Sequence, residues 1–183
     1  HGVVFDEAVP AQQLDAVGST GQAITNSYTG RTRVWVADAV WKWAPSGNAT
    51  RNSFKLQGEW LRSERRGDLT ADVDGAATTD AYRAVQSGWY VQGVWQFMPG
   101  WRVGLRTERL DAGTPQAGAN TAVLAASNGY SPRKTSLMVD FNASEFSRVR
   151  LQLAQDRSRE GVVDRQLFLQ YQMSLGAHGA HSY

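Results

Sequence analysis

Seven stretches of this chain alternate apolar and polar residues with period two. That is the repeat of an extended strand, whose successive side chains point to opposite faces. From Trp89 to Phe97 one face reads Trp89, Val91, Gly93, Trp95, Phe97, and the other Tyr90, Gln92, Val94, Gln96. From Trp101 to Glu108, Trp101, Val103 and Leu105 oppose Arg102, Arg106 and Glu108. From Arg148 to Asp156, Val149, Leu151 and Leu153 oppose Arg148, Arg150, Gln152, Ala154 and Asp156. The last stretch sets Leu167, Leu169, Tyr171, Met173 and Leu175 against Gln166, Phe168, Gln170, Gln172 and Ser174. Three more are less regular: Arg33–Trp43, Ser53–Trp60 and Thr135–Phe141. A helix does not fit, because apolar residues at i and i+2 fall on opposite sides of it.

The pattern predicts an all-β fold of about seven or eight strands. Closed into an antiparallel transmembrane β-barrel, or the C-terminal part of one, it would set apolar residues outward to lipid and polar ones inward to water. A soluble antiparallel sandwich also alternates, and two features argue against it. Large aromatics gather near the ends of the apolar faces: Trp35, Trp41, Trp43, Phe54, Trp60, Trp89, Trp95, Phe97, Trp101 and Phe141. Six to eight residues separate paired members, roughly 20–26 Å at ~3.3 Å per residue. That spacing suits an apolar band ~25 Å tall with an aromatic girdle at each rim, because an indole ring is favoured where hydrocarbon meets water.

Connection lengths are the second feature. Pro45–Asn52, Pro99-Gly100 and Asn142–Phe146 are short and carry turn residues. Gly67–Arg83 and Asp111–Arg133 are long and polar, and Ser158–Asp164 alternates with the short set. Short inner turns and longer outer loops are the asymmetry of outer-membrane barrels. Residues 1–30 are expected to be an outer loop or the remnant of an upstream strand, with 31–183 supplying the barrel strands. Within the first segment Asp15–Gly30 reads as loop, and Val3 to Val9 as a poor strand broken at Pro10. Seven strands would place the two ends of the chain on opposite sides. The favoured expectation is therefore the C-terminal portion of a larger barrel, with a complete eight-stranded barrel as the alternative.

Composition narrows the options. The 183 residues contain no cysteine, so disulfides and thiol chemistry are absent. The net charge is only +2, so no nucleic-acid footprint is expected. No run of about 18 apolar residues exists to form a transmembrane helix. No basic leader with an apolar core is visible. An exported protein would have lost one, or the chain would begin part-way through a longer protein.

The charged residues of the polar faces are the main candidates for function: Lys55, Glu59, Arg102, Arg106, Glu108, Asp140, Arg148, Arg150 and Asp156. In a water-filled pore such residues bias ion selectivity. In a narrow barrel they pair and fill the interior. Clustered Asp68, Asp72 and Asp74 suggest calcium, but their spacing lacks the twelve-residue loop pattern, so solvated carboxylates are expected. His178 and His181 suggest zinc. Three apart on a strand, they face opposite ways, so only a loop would let them share an ion. The expected cofactor is therefore none, with zinc or calcium as alternatives. No Gly-x-Ser-x-Gly elbow is present and histidines are few, so no enzyme is expected.

The ending from Gln166-Leu-Phe-Leu-Gln-Tyr-Gln-Met-Ser-Leu to Tyr183 resembles the C-terminus of a family of proteobacterial outer-membrane proteins, labelled zinc-regulated TonB-dependent receptors or porin-like proteins. The likeness extends through Arg31–Trp43 and Leu56–Arg66. It implies a Gram-negative outer-membrane barrel concerned with solute uptake. It also implies contact with outer-membrane lipid and lipopolysaccharide, with the barrel-assembly machinery, and with a TonB system. Receptors of that family carry an N-terminal plug and an energy-coupling box, which no segment of this sequence supplies. Tyr183 resembles the aromatic assembly signal, whereas residues 176–181 depart from it with Gly, Ala and His.

Overall fold

The computed structural model describes residues 2–17, 23–45, 47–122 and 129–174. It is all-β. Eight strands follow one another in chain order within a single sheet. They are β1 (Gly2–Val17), β2 (Ala23–Trp43), β3 (Ser53–Val73), β4 (Ala76–Met98), β5 (Trp101–Asp111), β6 (Arg133–Ser144), β7 (Ser147–Arg157) and β8 (Asp164–Met173). The one other element is a 3₁₀ turn at Gly118–Ala122. Among the described residues no ladder joins β8 to β1. Among the described residues no helix is long and apolar enough to cross a membrane.

Two expectations from the sequence are corrected. Within Asp15–Gly30, residues 15–17 and 23–30 are strand rather than loop. Residues up to Val17 belong to β1, those from Ala23 to β2, and the two strands pair antiparallel from Gly2↔Ala37 to Val17↔Ala23. The register shifts between Val9 and Gln12, around Pro10. Proline cannot donate to a ladder and is accommodated at such irregularities. Gly67–Arg83 is likewise no long loop. β3 runs on to Val73 and β4 starts at Ala76, leaving a two-residue turn of Asp74 and Gly75 with φ of 53° and 87°. Positive φ at both positions marks a hairpin turn whose twist matches its strands, and Asp-Gly is a favoured pair there. Thr70, Thr78 and Thr79 suit extended backbone although none is apolar.

The chain divides into two compact units. One comprises residues 1–39, 59–89 and 109–132, and the other 40–58, 90–108 and 133–183. In the second unit the register is regular: Leu137↔Leu153, Val139↔Leu151 and Phe141↔Val149 between β6 and β7, then Leu153↔Leu167, Leu151↔Leu169 and Val149↔Tyr171 between β7 and β8. Odd-numbered residues of these three strands therefore share one face. Even-numbered residues share the other: Asp140, Arg150 and Gln170 form one row, and Asn142, Arg148 and Gln172 the next.

The faces are inverted relative to a water-soluble sheet. Leu137, Phe141, Leu151, Leu153, Leu167 and Leu169 are exposed, Leu169 to 76%, whereas Asp140 is fully buried at 0% and Ala154 is buried. Soluble folding buries apolar area because each Å² removed from water is worth ~25 cal/mol. Here the apolar face is the uncovered one.

In the first unit Gly30 of β2 and Gly67 of β3 allow a close backbone approach. A Cβ on Gly67 would lie 2.5 Å from the Gly30 Cα, and one on Gly30 would lie 2.4 Å from the Arg66 carbonyl oxygen. Tyr28 folds over this gap, with its hydroxyl 3.3 Å from the Arg66 carbonyl oxygen and its ring edge-on to Tyr82 at 5.4 Å. An aromatic ring covering a strand glycine restores the packing that the missing side chain forfeits.

Candidate functional site

The polar face of the second unit carries a ladder of charges built by strand register. Asp140 on β6 sits directly across from Arg150 on β7. Arg150 donates through Nε to Oδ1 at 2.6 Å and through Nη2 to Oδ2 at 2.9 Å. This two-pronged geometry is the strong form of the arginine–carboxylate pair. Arg102 of β5 approaches Asp140 from the other side, with Nη2 at 3.3 Å from Oδ2, and also donates to Asn142 Oδ1 at 3.4 Å. The Arg102 Nε is buried and makes no hydrogen bond. One carboxylate thus serves two guanidinium groups. Arg148, one row along, donates to the amide oxygen of Gln172 rather than to an acid. Around Asp140 there are three guanidinium groups and one carboxylate, a local excess of positive charge.

The remaining charges pair locally. Lys134 donates to Asp156 Oδ2 at 3.1 Å and to Gln166 Oε1 at 3.0 Å. Arg106 donates to Glu108 Oε2 at 2.7 Å, and its guanidinium lies over the Tyr90 ring at 3.9 Å. Seven of the nine charged residues expected on polar faces therefore have polar partners, in separate sets: Arg102, Asp140 and Arg150 together, Arg106 with Glu108, Asp156 with Lys134, and Arg148 with Gln172. Lys55 and Glu59 are not among them; among the described residues neither takes part in an ion pair. Such a set of rows can attract a small anion and resist a cation. It offers no nucleophile–base pair and no acid–base dyad facing a cleft.

The aromatic residues fall on the opposite face. In the second unit Trp41 meets Phe54 edge-on at 5.9 Å, Trp95 meets Phe97 at 5.8 Å, and Trp101 meets Phe141 at 4.7 Å. The Trp95 indole also donates to Asn52 Oδ1 at 3.0 Å, an apolar ring with its polar edge satisfied at a turn. Trp43 is exposed in this unit, as are Trp60 and Trp89 in the first, while Trp35 is half-buried.

The three aspartates do not assemble into a metal site among the described residues. Asp68 is exposed on β3, Asp72 precedes the end of that strand, and Asp74 occupies the turn. Among the described residues no group of three His, Cys, Asp or Glu could hold an ion. His178, His181 and Tyr183 lie outside the described residues.

The first unit also carries a strap that no sequence pattern announces. Residues after β5 return to the β3–β4 hairpin, where Gln116 and Arg83 exchange backbone hydrogen bonds at 2.8 Å. Asn120 is buried and donates through Nδ2 to the carbonyls of Leu69 at 2.8 Å and Thr78 at 2.9 Å. Asp80, in the extension of β4 beyond Trp89, accepts from the backbone N–H of Ala119 and of Ala81, each at 2.7 Å. The Ala119 bond, then the Ala81 bond, hold its carboxyl below the ordinary aspartate range. Asn120 lies 51 residues from Leu69, and no local motif announces so distant a latch.

No family model matches this chain, and no solved structure matches it. It is similar to an uncharacterized protein of Aquifex aeolicus (strain VF5), 26% identical over 166 residues. That match covers 86% of this chain and 32% of the relative. The chain thus spans about a third of the length of the curated protein it matches.

Proposed function

We propose that this chain forms the strands of an outer-membrane transport barrel, a porin-like channel or the barrel part of a receptor that admits small solutes. The inverted sheet carries this reading: a row such as Val139, Leu151 and Leu169 faces outward while the carboxylate of Asp140 is enclosed. Hydrocarbon around the apolar face removes the cost of its exposure. Strand length supports it. β5, β7 and β8 have 11, 11 and 10 residues, matching the ~9–11 that a tilted strand needs to cross a bilayer. β2, β3 and β4 are twice as long, at 21, 21 and 23 residues. In this reading their parts beyond Trp35, Trp60 and Trp89 stand outside the lipid. A two-sheet sandwich is disfavoured, because all eight strands belong to one sheet.

The barrel closes through strands that complete the ladder between β1 and β8. A relative about three times as long has chain enough for them. The rows around Asp140 line the interior, and their excess of guanidinium groups gives a mild preference for anions or acidic solutes. The test is conductance of the full-length protein in planar bilayers under a salt gradient. A reversal potential on the anion side supports the proposal, and clear cation selectivity defeats it.

A further inference from the structure

We infer that the first unit carries an arginine collar that binds the phosphates of lipopolysaccharide, just beyond the tryptophan rim of the apolar face. The inference rests on the membrane reading and adds the chemistry of the lipid contact.

Alternation carries the apolar face past the tryptophans. On β2, the residues preceding Trp35 on its face are Arg33 and Arg31; on β3, those following Trp60 on its face include Arg62 and Arg66. On β4, Arg83 shares the face of Trp89; on β5, Arg109 shares that of Leu105. Two contacts fix the β3–β4 assignment: Thr70 and Thr79 hydroxyls meet at 2.7 Å, and Arg83 reaches Glu64 at 3.0 Å. Four neighbouring strands thus place six arginines on one face, and no lysine occurs among them.

Their charge is only partly matched. Asp6 takes Arg33 at 3.1 Å. Glu64, its side chain only 11% exposed, takes both Arg66 and Arg83, whose side chains are 63% and 51% exposed. Hydrogen bonds from Arg66 and Arg83, the first the larger, keep the Glu64 carboxyl ionised below its usual range. It therefore fixes two guanidinium groups side by side without covering them. Six arginines against the two acids that touch them leave an excess of four. Asp68 and Asp72 lie further along the face of β3, and Asp111 further along β5, where it accepts from the N–H of Gly113.

Spacing identifies the ligand. Arg62 and Arg33 lie two residues beyond their tryptophans, ~7 Å along the strand, Arg31 lies four, ~13 Å, and Arg66 and Arg83 lie six, ~20 Å. An indole marks the edge of hydrocarbon, so Arg33, Arg62 and Arg31 come nearest headgroup depth, their stems able to lie along apolar surface, and Arg66 and Arg83 stand above them. Arginine, with its planar fork, pairs two-pronged with phosphate better than lysine. A molecule that puts acyl chains on the apolar face and phosphates on this collar is a phosphorylated lipid. In the outer leaflet that is lipopolysaccharide.

The test uses the full-length protein inserted into phosphatidylcholine vesicles doped with lipid A, or with lipid A stripped of its phosphates. Lipid A retained per protein is measured after detergent extraction. The triple variant R31Q/R33Q/R62Q should insert normally and retain roughly a hundredfold less lipid A, by the usual contribution of three basic residues near an anionic surface. R51Q, in the turn before β3, should behave as wild type. If the triple variant fails to fold, R31Q/R33Q should show a smaller loss in the same direction. Equal retention by variants and wild type, or of stripped and phosphorylated lipid A, overturns the collar while leaving the barrel intact. So does displacement by inorganic phosphate at equal phosphate concentration, which would mark a site for soluble anions. Failure to insert into any vesicle overturns the barrel itself.

Discussion

The β6–β8 region and the β3–β4 extension are made of the same element and held by different means. In the first, short strands mostly alternate, and their central cross-strand rows set leucine on leucine and Asp140 on Arg150. In the second, long strands carry few apolar residues, and cohesion comes from backbone ladders, a glycine pair under Tyr28, and a strap pinned by Asn120 and Asp80. The difference teaches that alternation marks a sheet whose two faces are unlike along their whole length. In the extension a strap and a few small buried side chains, Leu69, Ala71, Ala84 and Ala117, suffice, and the pattern relaxes.

Perturbing each region tests that contrast. Leu151→Arg, between Val139 and Leu169 on the apolar face, should cost ~3–4 kcal/mol in urea titrations of vesicle-inserted protein, as expected for a cation near the bilayer midplane. An unchanged midpoint would mean the face meets water. Asp140→Ala should cost about 3 kcal/mol, since it leaves Arg102 and Arg150 confined without their shared acid. It should also move the reversal potential further toward anions, and a shift toward cations would refute the charge assignment of that row.

In the other region, Asn120→Ala leaves the buried carbonyl of Leu69 and the partly buried carbonyl of Thr78 without its amide, at a cost of about 2 kcal/mol. Hydrogen exchange should speed up in residues 112–122 and in the β3–β4 tip but not in β6–β8. Uniform acceleration would show the two regions to be one cooperative unit. The smallest effect concerns pH. The Asp80 carboxyl titrates lower when folded than when unfolded. Its latch therefore contributes fully above the ordinary aspartate range and is lost as pH falls through the depressed folded value. Limited proteolysis of the strap should accelerate at acid pH in the wild type, and Asp80→Asn should flatten that dependence.

How much of this was legible follows the same contrast. Leu137 to Phe141, Val149 to Leu153 and Leu167 to Met173 declare their face in the sequence, because one solvent selects each parity. The pairing of Asp140 with Arg150 follows once the register is known, yet the register itself depends on turn lengths. β1 was obscured because Val3, Val4 and Phe5 are consecutive apolar residues and Pro10 interrupts the ladder. Residues 67–83 read as loop because polar strands lack a hydrophobic signal. The Asp74-Gly75 pair was the available sign of a hairpin there. Asn120 and Asp80 could not be found at all, since a latch between distant residues leaves no period.

The most direct test of the inverted sheet is a nitroxide scan along β7, which needs no background removal because the chain has no cysteine. Single labels at 148 through 154 in vesicle-inserted protein should alternate. Positions 149, 151 and 153 should collide with lipid-soluble oxygen, and positions 148, 150, 152 and 154 should not. Loss of that alternation, or protein that stays monodisperse in plain buffer with the odd positions shielded from every collider, would contradict the account.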